Sequence, residues 1–140
     1  MTQIDFYTHV EDKHKIACVL SAKALERGMR VFIYTPDFET SEIMDQLLWT
    51  TPPTGFLPHC APQHKLAAKT PIIIHHEPEG LLHDEILLNL RPEYPSFFSR
   101  FHRLIEIVGT DESDRLAARD RYRWYRDRGY EIRSHDLRAR

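Results

Sequence analysis

Basic side chains are distributed unevenly along this 140-residue chain. Residues 111–140 contain nine basic side chains, all of them arginine, and seven acidic ones, whereas residues 1–110 contain ten basic and fourteen acidic side chains. The formal net charge of -2 therefore hides an arginine-rich end behind an acidic first part. Arginine binds carboxylates and phosphates well, because its planar fork donates two parallel hydrogen bonds. The C-terminal segment is the first candidate for a binding site.

These arginines form a pattern if the segment is a helix. At about 100° per residue, Arg115, Arg119 and Arg126 share one stripe, with Arg123 at its flank and Tyr122 at its edge. Such a stripe could bind an acidic, partly hydrophobic peptide end or the backbone of single-stranded nucleic acid. A solvated helix face with i,i+4 charge pairs would show the same pattern, and the stripe alone does not decide between the two.

A second candidate surface lies where the chain leaves a predicted helix and crosses a proline turn. Trp49, Phe56, Leu57 and Pro58 lie close together in a segment that its prolines keep stiff, which lowers the entropic cost of binding. These apolar side chains could form an exposed hot spot for a partner protein. Trp49 and Phe56 could instead cover the end of the core, and in isolation the pattern favours that alternative.

Other chemistry has weaker support. His59, Cys60 and His64 lie close together, but the chain contains no C-x-x-C and no H-E-x-x-H motif. The five glycines are isolated, which excludes the common phosphate-binding loops, and G-x-S-x-G is absent. We therefore predict scattered surface histidines, no metal, no cofactor and no intrinsic catalysis.

The elements that would position these residues alternate between strands and helices. Apolar periodicity and turn residues predict strands at 3–7, 31–34, 56–59, 71–75, 85–90, 104–108 and 130–133, and helices at 12–27, after 36, at 95–98 and from 111 to about 128. This alternation predicts one α/β domain over residues 1–140, with a three-layer, open and mostly parallel sheet that carries helices on both faces.

The last predicted helix has clear end signals. Asp111 or Thr110 is its expected N-cap, and Gly129 ends it. Its apolar side is expected to pack on the sheet. We expect Arg121 and Arg128 to border that side with their guanidinium groups turned out to solvent.

The composition indicates a globular protein, with 41% hydrophobic and 29% charged residues. No apolar run approaches the ~20 residues of a membrane span, and the first residues lack the pattern of a signal peptide. Two cysteines are too few for a disulfide framework, so a cytoplasmic protein is expected. The near-balanced charge argues against nucleic-acid binding by the whole chain.

Three segments, in this order, resemble the chi subunit of bacterial DNA polymerase III. They are Ile4-Asp5-Phe6-Tyr7 with Gly28–Val31, Leu48-Trp49 with Phe56–His59, and Arg115–Arg126 with Gly129-Tyr130. Residues 60–70 do not carry the resemblance. It implies a nucleotide-binding-like α/β fold without a working phosphate loop, and a non-catalytic adaptor.

The resemblance also implies two partners. One is the acidic C-terminal tail of single-stranded-DNA-binding protein, which ends in a carboxylate beside an aromatic residue. Its site would comprise Val108, Arg115, Arg119, Tyr122 and Gly129, with Arg119 binding the terminal carboxylate and Arg115 the acidic residues.

The other implied partner is the psi subunit, which would link the chain to the clamp loader. Its interface would comprise Trp49, Phe56, Leu57 and Pro58. DNA would then be contacted indirectly, through these partners. From the residues alone, direct binding of single-stranded nucleic acid along the Arg/Tyr helix is the alternative function, and a histidine-based hydrolase or nuclease is a third.

Overall fold

A computed structural model describes residues 1–50, 58–78 and 81–139. Its strands are β1 (Gln3–Val10), β2 (Val31–Tyr34), β3 (His59–Cys60), β4 (Ile72–His75), β5 (Ile86–Asn89), β6 (Arg103–Gly109) and β7 (Ile132–Asp136). They form one sheet in the order β3-β4-β2-β5-β6-β1-β7, in which every described pair is parallel. The predicted open α/β sheet is confirmed.

Helices connect these strands, as parallel pairing requires. The α-helices are α1 (Lys13–Glu26), α2 (Phe38–Thr50) and α3 (Glu112–Asp127), and short 3-10 helices lie at Ala67–Lys69, Phe98–Arg100 and Leu137–Ala139. Asp12 and Asp111 cap α1 and α3, each accepting a hydrogen bond from an N–H of the first turn. Gly28 and Gly129 follow these helices with φ of +73° and +85°, the left-handed region that glycine adopts without strain.

The core lies in two layers, one on each face of the sheet. On one face, α1 and α2 pack against residues such as Ile33 and Leu88. On the other, α3 and the Phe98–Arg100 turn pack against residues such as Phe32 and Leu87. Because both faces are covered, the central strands are continuous apolar runs.

Several predicted strands differ from the structure at their ends, and the first and last strands are examples. The last strand begins at Ile132, not at residue 130, because the Tyr130 N–H still donates to the Tyr125 carbonyl at the end of α3. The first strand extends to Val10 through an irregularity at which His9 has φ of 59°. Of the predicted strand at 56–59, His59 lies in β3, while Phe56 and Leu57 lie outside the described residues.

Candidate functional site

A groove runs beside the first half of α3, at the carboxyl ends of β1, β6 and β7. Its volume is about 360 Å³. Four of the five residues predicted for the tail site line it: Val108, Arg115, Arg119 and Tyr122. We call this surface the α3 groove. In the structure, Val108 of β6 therefore lies beside three residues of α3, although the sequence alone does not show that these two elements are neighbours.

The two arginines of the α3 groove are exposed and unpaired. Within the described part of the chain, no hydrogen bond or ion pair is formed by the guanidinium group of Arg115 or Arg119. The neighbouring carboxylate of Asp114 is already engaged, because it accepts from Lys13 Nζ at 3.1 Å and from the Gly109 N–H. Both guanidinium groups are therefore available to a ligand, and their i,i+4 spacing puts them on one side of α3.

The rest of the α3 groove is largely apolar. Val108 and Ala118 are nearly buried in its floor. The half-buried ring of Tyr122 packs edge-on against Phe6, with the ring centroids 5.4 Å apart. An apolar wall beside unpaired guanidinium groups suits a ligand that combines a hydrophobic side chain with a carboxylate.

Sequence reasoning missed the side of the α3 groove that the strands supply. Phe6, Thr8 and His9 come from β1 and Ser134 from β7. His9 Nδ1 lies 3.2 Å from Asp136 Oδ1 at this edge. No local signal could have identified these residues, because they reach the groove through the parallel pairing of β1 with β7, and the sequence spacing does not encode that pairing.

Gly129 of the predicted tail site and Arg126 of the predicted arginine stripe lie elsewhere. Gly129 does not line the α3 groove and follows the far end of α3, about 15 Å along the helix from Arg119 at 1.5 Å per residue. Its conformation ends the helix. Arg126, which shares the predicted arginine stripe, also lies outside the groove, and it pairs with Asp127 at 3.4 Å.

The prediction that Arg121 faces solvent is wrong. Arg121 is 3% exposed, and its Nε donates to Glu106 Oε1 at 3.0 Å. Glu106 lies fully buried in β6 and also accepts from the Tyr125 hydroxyl and from Asn89 Nδ2. A buried carboxylate needs such partners, so it draws the guanidinium inward. Arg128 is exposed as expected, with its guanidinium 3.7 Å from the centroid of the Trp124 ring.

This buried network fixes α3 on the sheet. Burial raises the pKa of the Glu106 carboxyl, and the charge of Arg121 with the hydrogen bonds from Tyr125 and Asn89 opposes that rise. Because Arg121 and Tyr125 both bind Glu106, the rotation of α3 about its axis is set. That rotation directs Arg115 and Arg119 to the groove.

The second predicted surface lies on α2. Trp49 is 54% exposed, which argues against the alternative that it covers the end of the core. Phe38, 60% exposed, lies on the same helical stripe, together with Glu42 and Asp45. Pro58 is exposed nearby in sequence, while Phe56 and Leu57 lie outside the described residues.

The stripe on α2 is tied to the edge of the sheet. The Trp49 ring packs edge-on against His59 of β3, with the ring centroids 5.7 Å apart. His59 Nε2 lies 2.9 Å from Asp45 Oδ1. We call Phe38, Glu42, Asp45, Trp49 and Pro58 the α2 surface, and it combines exposed aromatic rings with acidic side chains.

The described residues contain neither a candidate metal site nor a candidate membrane-spanning helix. No group of three or more His, Cys, Asp and Glu side chains there could hold a metal ion. No helix within those ranges is long and apolar enough to cross a membrane.

Comparison with known proteins gives one consistent result. Residues 1–133 match the family model described as DNA polymerase III chi subunit, HolC. DNA polymerase III subunit chi of Pseudomonas aeruginosa is 34% identical over 141 residues, which cover 98% of each chain. The subunits chi of Haemophilus influenzae and Escherichia coli K12 are 29% and 26% identical, over 88% and 94% of this chain and 86% and 88% of their own. The chain therefore belongs to the family of DNA polymerase III chi subunits.

Proposed function

We propose that this chain couples single-stranded-DNA-binding protein to the psi subunit of the replicative polymerase, through two separate surfaces. As a chi subunit of DNA polymerase III it has an accessory role in DNA replication. The α3 groove would bind the acidic C-terminal tail of single-stranded-DNA-binding protein. The α2 surface would bind psi, which links the chain to the clamp loader.

The observation that carries the first contact is the pair of unpaired guanidinium groups beside an apolar groove. Arg119 would bind the terminal carboxylate of the tail, and Arg115 would attract the acidic residues that precede it. Val108 and Tyr122 would contact the hydrophobic side chain next to that carboxylate. Each part of such a tail then has a partner of matching chemistry.

The first test is Arg119→Ala. We expect it to weaken binding of the tail peptide by about tenfold to a hundredfold, the value of a charge-assisted hydrogen bond to a carboxylate. Isothermal calorimetry with a synthetic tail peptide measures the dissociation constant. The matched control is Arg123→Ala, an exposed arginine of α3 that lies outside the groove. Unchanged affinity for Arg119→Ala, or an equal loss for both variants, would remove the α3 groove from the proposal.

The second test is Trp49→Ala. An exposed Trp at the centre of an interface typically contributes about 2 kcal/mol or more to binding, so we expect co-purification with psi to be lost. Tail binding should stay unchanged in the same variant. Leu116→Ala is the control, because Leu116 on α3 is 50% exposed, close to the 54% of Trp49. Normal co-purification of Trp49→Ala with psi would contradict the assignment.

Direct binding of single-stranded nucleic acid is the alternative for the same groove. Such binding uses aromatic faces on which bases stack. The ring of Trp124 on α3 is already covered, because it stacks on Tyr94 at 3.8 Å and has the Arg128 guanidinium over it. The Tyr122 ring packs against Phe6. We therefore expect little affinity for an unstructured oligonucleotide at physiological salt. A titration that shows tight binding abolished by Arg119→Ala would favour the alternative.

A further inference from the structure

A larger cavity lies on the opposite face of the sheet. It is enclosed by α1 and by strands β1, β6 and β7, is open to solvent along one side, and has a volume of about 720 Å³, twice that of the α3 groove. Neither surface of the proposed function includes it. We call it the α1 groove.

The α1 groove exists because this face of the sheet is incompletely covered. α1 and α2 pack over the strands from β4 to β6. Apart from the turn Leu137–Ala139 at one end, no described helix covers β1 and β7 on this face. The floor there consists of polar and aromatic side chains, with Tyr7 stacked on His135 at 4.5 Å between ring centroids.

One wall of the groove is a continuous stripe of α1. The side chains recur at i, i+3, i+4, i+7, i+8 and i+11: Ile16, Val19, Leu20, Lys23, Ala24 and Arg27. The stripe is about 16 Å long, or three helical turns. Val19 is 38% exposed although it is apolar. Ile16 and Leu20 beside it are only partly buried where they pack on the core, so α1 presents apolar surface to the groove.

The charge of the groove is strongly one-sided. Lys23, Arg27, Arg103 and Arg133 line it, and no acidic side chain of the described residues does. The chain as a whole has a formal charge of -2, so this is a local excess of positive charge. Within the same described ranges, the side chains of Lys23 and Arg27 form no hydrogen bond or ion pair.

A single buried carboxylate lies beneath the floor. Asp5 is fully buried and accepts from Arg103 Nε at 2.7 Å, from Arg133 Nε at 3.0 Å and from His135 Nε2 at 2.9 Å. It orients both guanidinium groups but neutralises only one positive charge. A net positive charge therefore remains at the floor.

The groove is apolar at one end and cationic at the other. Because α1 connects the parallel strands β1 and β2, it runs antiparallel to them, and its last turns lie at the amino ends of the strands. Lys23 and Arg27 therefore lie near Arg103, at the start of β6. Val19 lies toward the other end, where Leu137 closes the groove.

We propose that the α1 groove binds an amphipathic helical segment of a partner protein, whose apolar residues contact Val19 and its neighbours and whose carboxylates contact Lys23, Arg27, Arg103 and Arg133. A helix is the element that the sheet lacks at this position, and helices pack in grooves of this kind at 8–10 Å between axes. The lining contains no carboxylate, so acidic side chains on the segment would be attracted along the whole cationic end of the groove. This proposal is independent of the α3 groove and the α2 surface.

The probe is a fluorescein-labelled Leu/Glu peptide of about 14 residues, about four helical turns, with leucines at i, i+3, i+4 and i+7. A peptide of the same composition with the leucines scrambled is the control ligand. We expect saturable binding of the amphipathic peptide by fluorescence anisotropy. In NMR spectra of the full chain, the amide chemical shifts that change on peptide binding should belong mainly to α1, β1 and β7. Binding of the scrambled peptide with equal affinity would overturn the proposal.

Variants locate the binding. The double variant Lys23→Glu/Arg27→Glu should weaken binding of the amphipathic peptide at least about tenfold, because reversal of two charges turns attraction into repulsion. Lys15→Glu, an exposed charge reversal of α1 outside the groove, should leave affinity within about twofold. Both variants lie on the surface, and melting curves check that they fold.

Three results contradict the proposal. Equal losses for Lys15→Glu would indicate attraction by the general charge of the protein. Loss of peptide binding in Arg119→Ala would show that the peptide binds in the α3 groove instead. Sedimentation showing a dimer of the free protein that dissociates in Lys23→Glu/Arg27→Glu would assign the groove to a second copy of this chain.

Discussion

Arginines of the same helix differ in what surrounds them. Arg119 and Arg121 are separated by one residue, yet Arg119 is exposed and unpaired in the described chain, whereas Arg121 is 3% exposed and bound to Glu106. Helical rotation of about 200° between them sends one side chain out and the other in. Residue type alone therefore does not separate a ligand-binding arginine from a structural one.

Asp5 is the residue whose substitution should affect stability in a pH-dependent way. Burial raises its pKa, but the hydrogen bonds from His135 and Arg103 and the charges of Arg103 and Arg133 outweigh that effect, so the pKa of the Asp5 carboxyl lies below its usual value. A carboxyl with a lowered pKa stabilises the fold above the unfolded value of about 4, and this contribution is lost as the pH falls through the folded value.

We therefore expect Asp5→Asn to lower the free energy of unfolding by about 1.5–3 kcal/mol at neutral pH, because it removes the buried carboxylate that accepts charge-assisted hydrogen bonds from Arg103 and Arg133. The difference from the unsubstituted chain should shrink as the pH falls from about 4, the pKa of the unfolded state, toward the lower pKa that Asp5 has in the folded protein. Urea unfolding of both proteins from neutral pH to below about pH 4 measures the difference in the free energy of unfolding. Glu11→Gln, at an exposed acid, should change stability by less than about 0.5 kcal/mol. A difference that does not vary with pH would contradict this account of Asp5.

At the scale of elements, two different sides of α3 have two different roles. One side holds it on β6 through Arg121 and Tyr125, and another presents Arg115 and Arg119 to the α3 groove. The orientation of the binding side depends on the anchored side. A variant that weakens the anchor should therefore also disturb the groove, even though it removes no residue that lines it.

Arg121→Ala should lower the free energy of unfolding by about 3–5 kcal/mol, because it leaves the carboxylate of Glu106 buried without its charge partner. Replacing both groups, as in Glu106→Gln/Arg121→Met, should restore part of the loss, since no buried charge then remains. Denaturant unfolding of the three proteins forms the comparison. A loss below about 1 kcal/mol for Arg121→Ala, the level of an exposed ion pair, would mean that the network does not hold α3.

At the scale of the whole molecule, the sheet separates the α3 groove from the α2 surface. The α3 groove lies on one face, and α2 with its exposed surface packs on the other. They share no residue. Two partners bound in this way need not compete, which is the arrangement that an adaptor requires.

We expect tail affinity to be the same, within about twofold, for the free chain and for its complex with psi, because no shared element couples the two sites. In both forms, raising salt from about 0.05 to 0.5 M should weaken tail binding, since exposed Arg–carboxylate contacts are screened. Calorimetry at the two salt concentrations measures both effects. A large change of affinity on psi binding would show that the surfaces communicate, and affinity insensitive to salt would argue against contacts by Arg115 and Arg119.

The sequence by itself determined the elements and one side of the candidate site. Continuous apolar runs mark β2, β4 and β5, because strands covered on both faces bury every side chain. The capping residue Asp111 and the glycine after α3 set the ends of that helix through local hydrogen bonds and backbone conformation. The exposed arginine stripe follows from the helical period alone. All of these are properties of neighbouring residues.

Only the tertiary structure decided which distant residues meet. The strand order β3-β4-β2-β5-β6-β1-β7 brings His9 and Ser134 to the α3 groove, and it leaves the α1-side face of β1 and β7 only partly covered by the described helices. The buried carboxylate of Glu106 turned Arg121 inward, against the expectation for an arginine at the border of a helix face. Parallel strands pair across long crossovers, so their order and the polar groups that they bury depend on contacts far apart in the chain, which local periodicity does not contain.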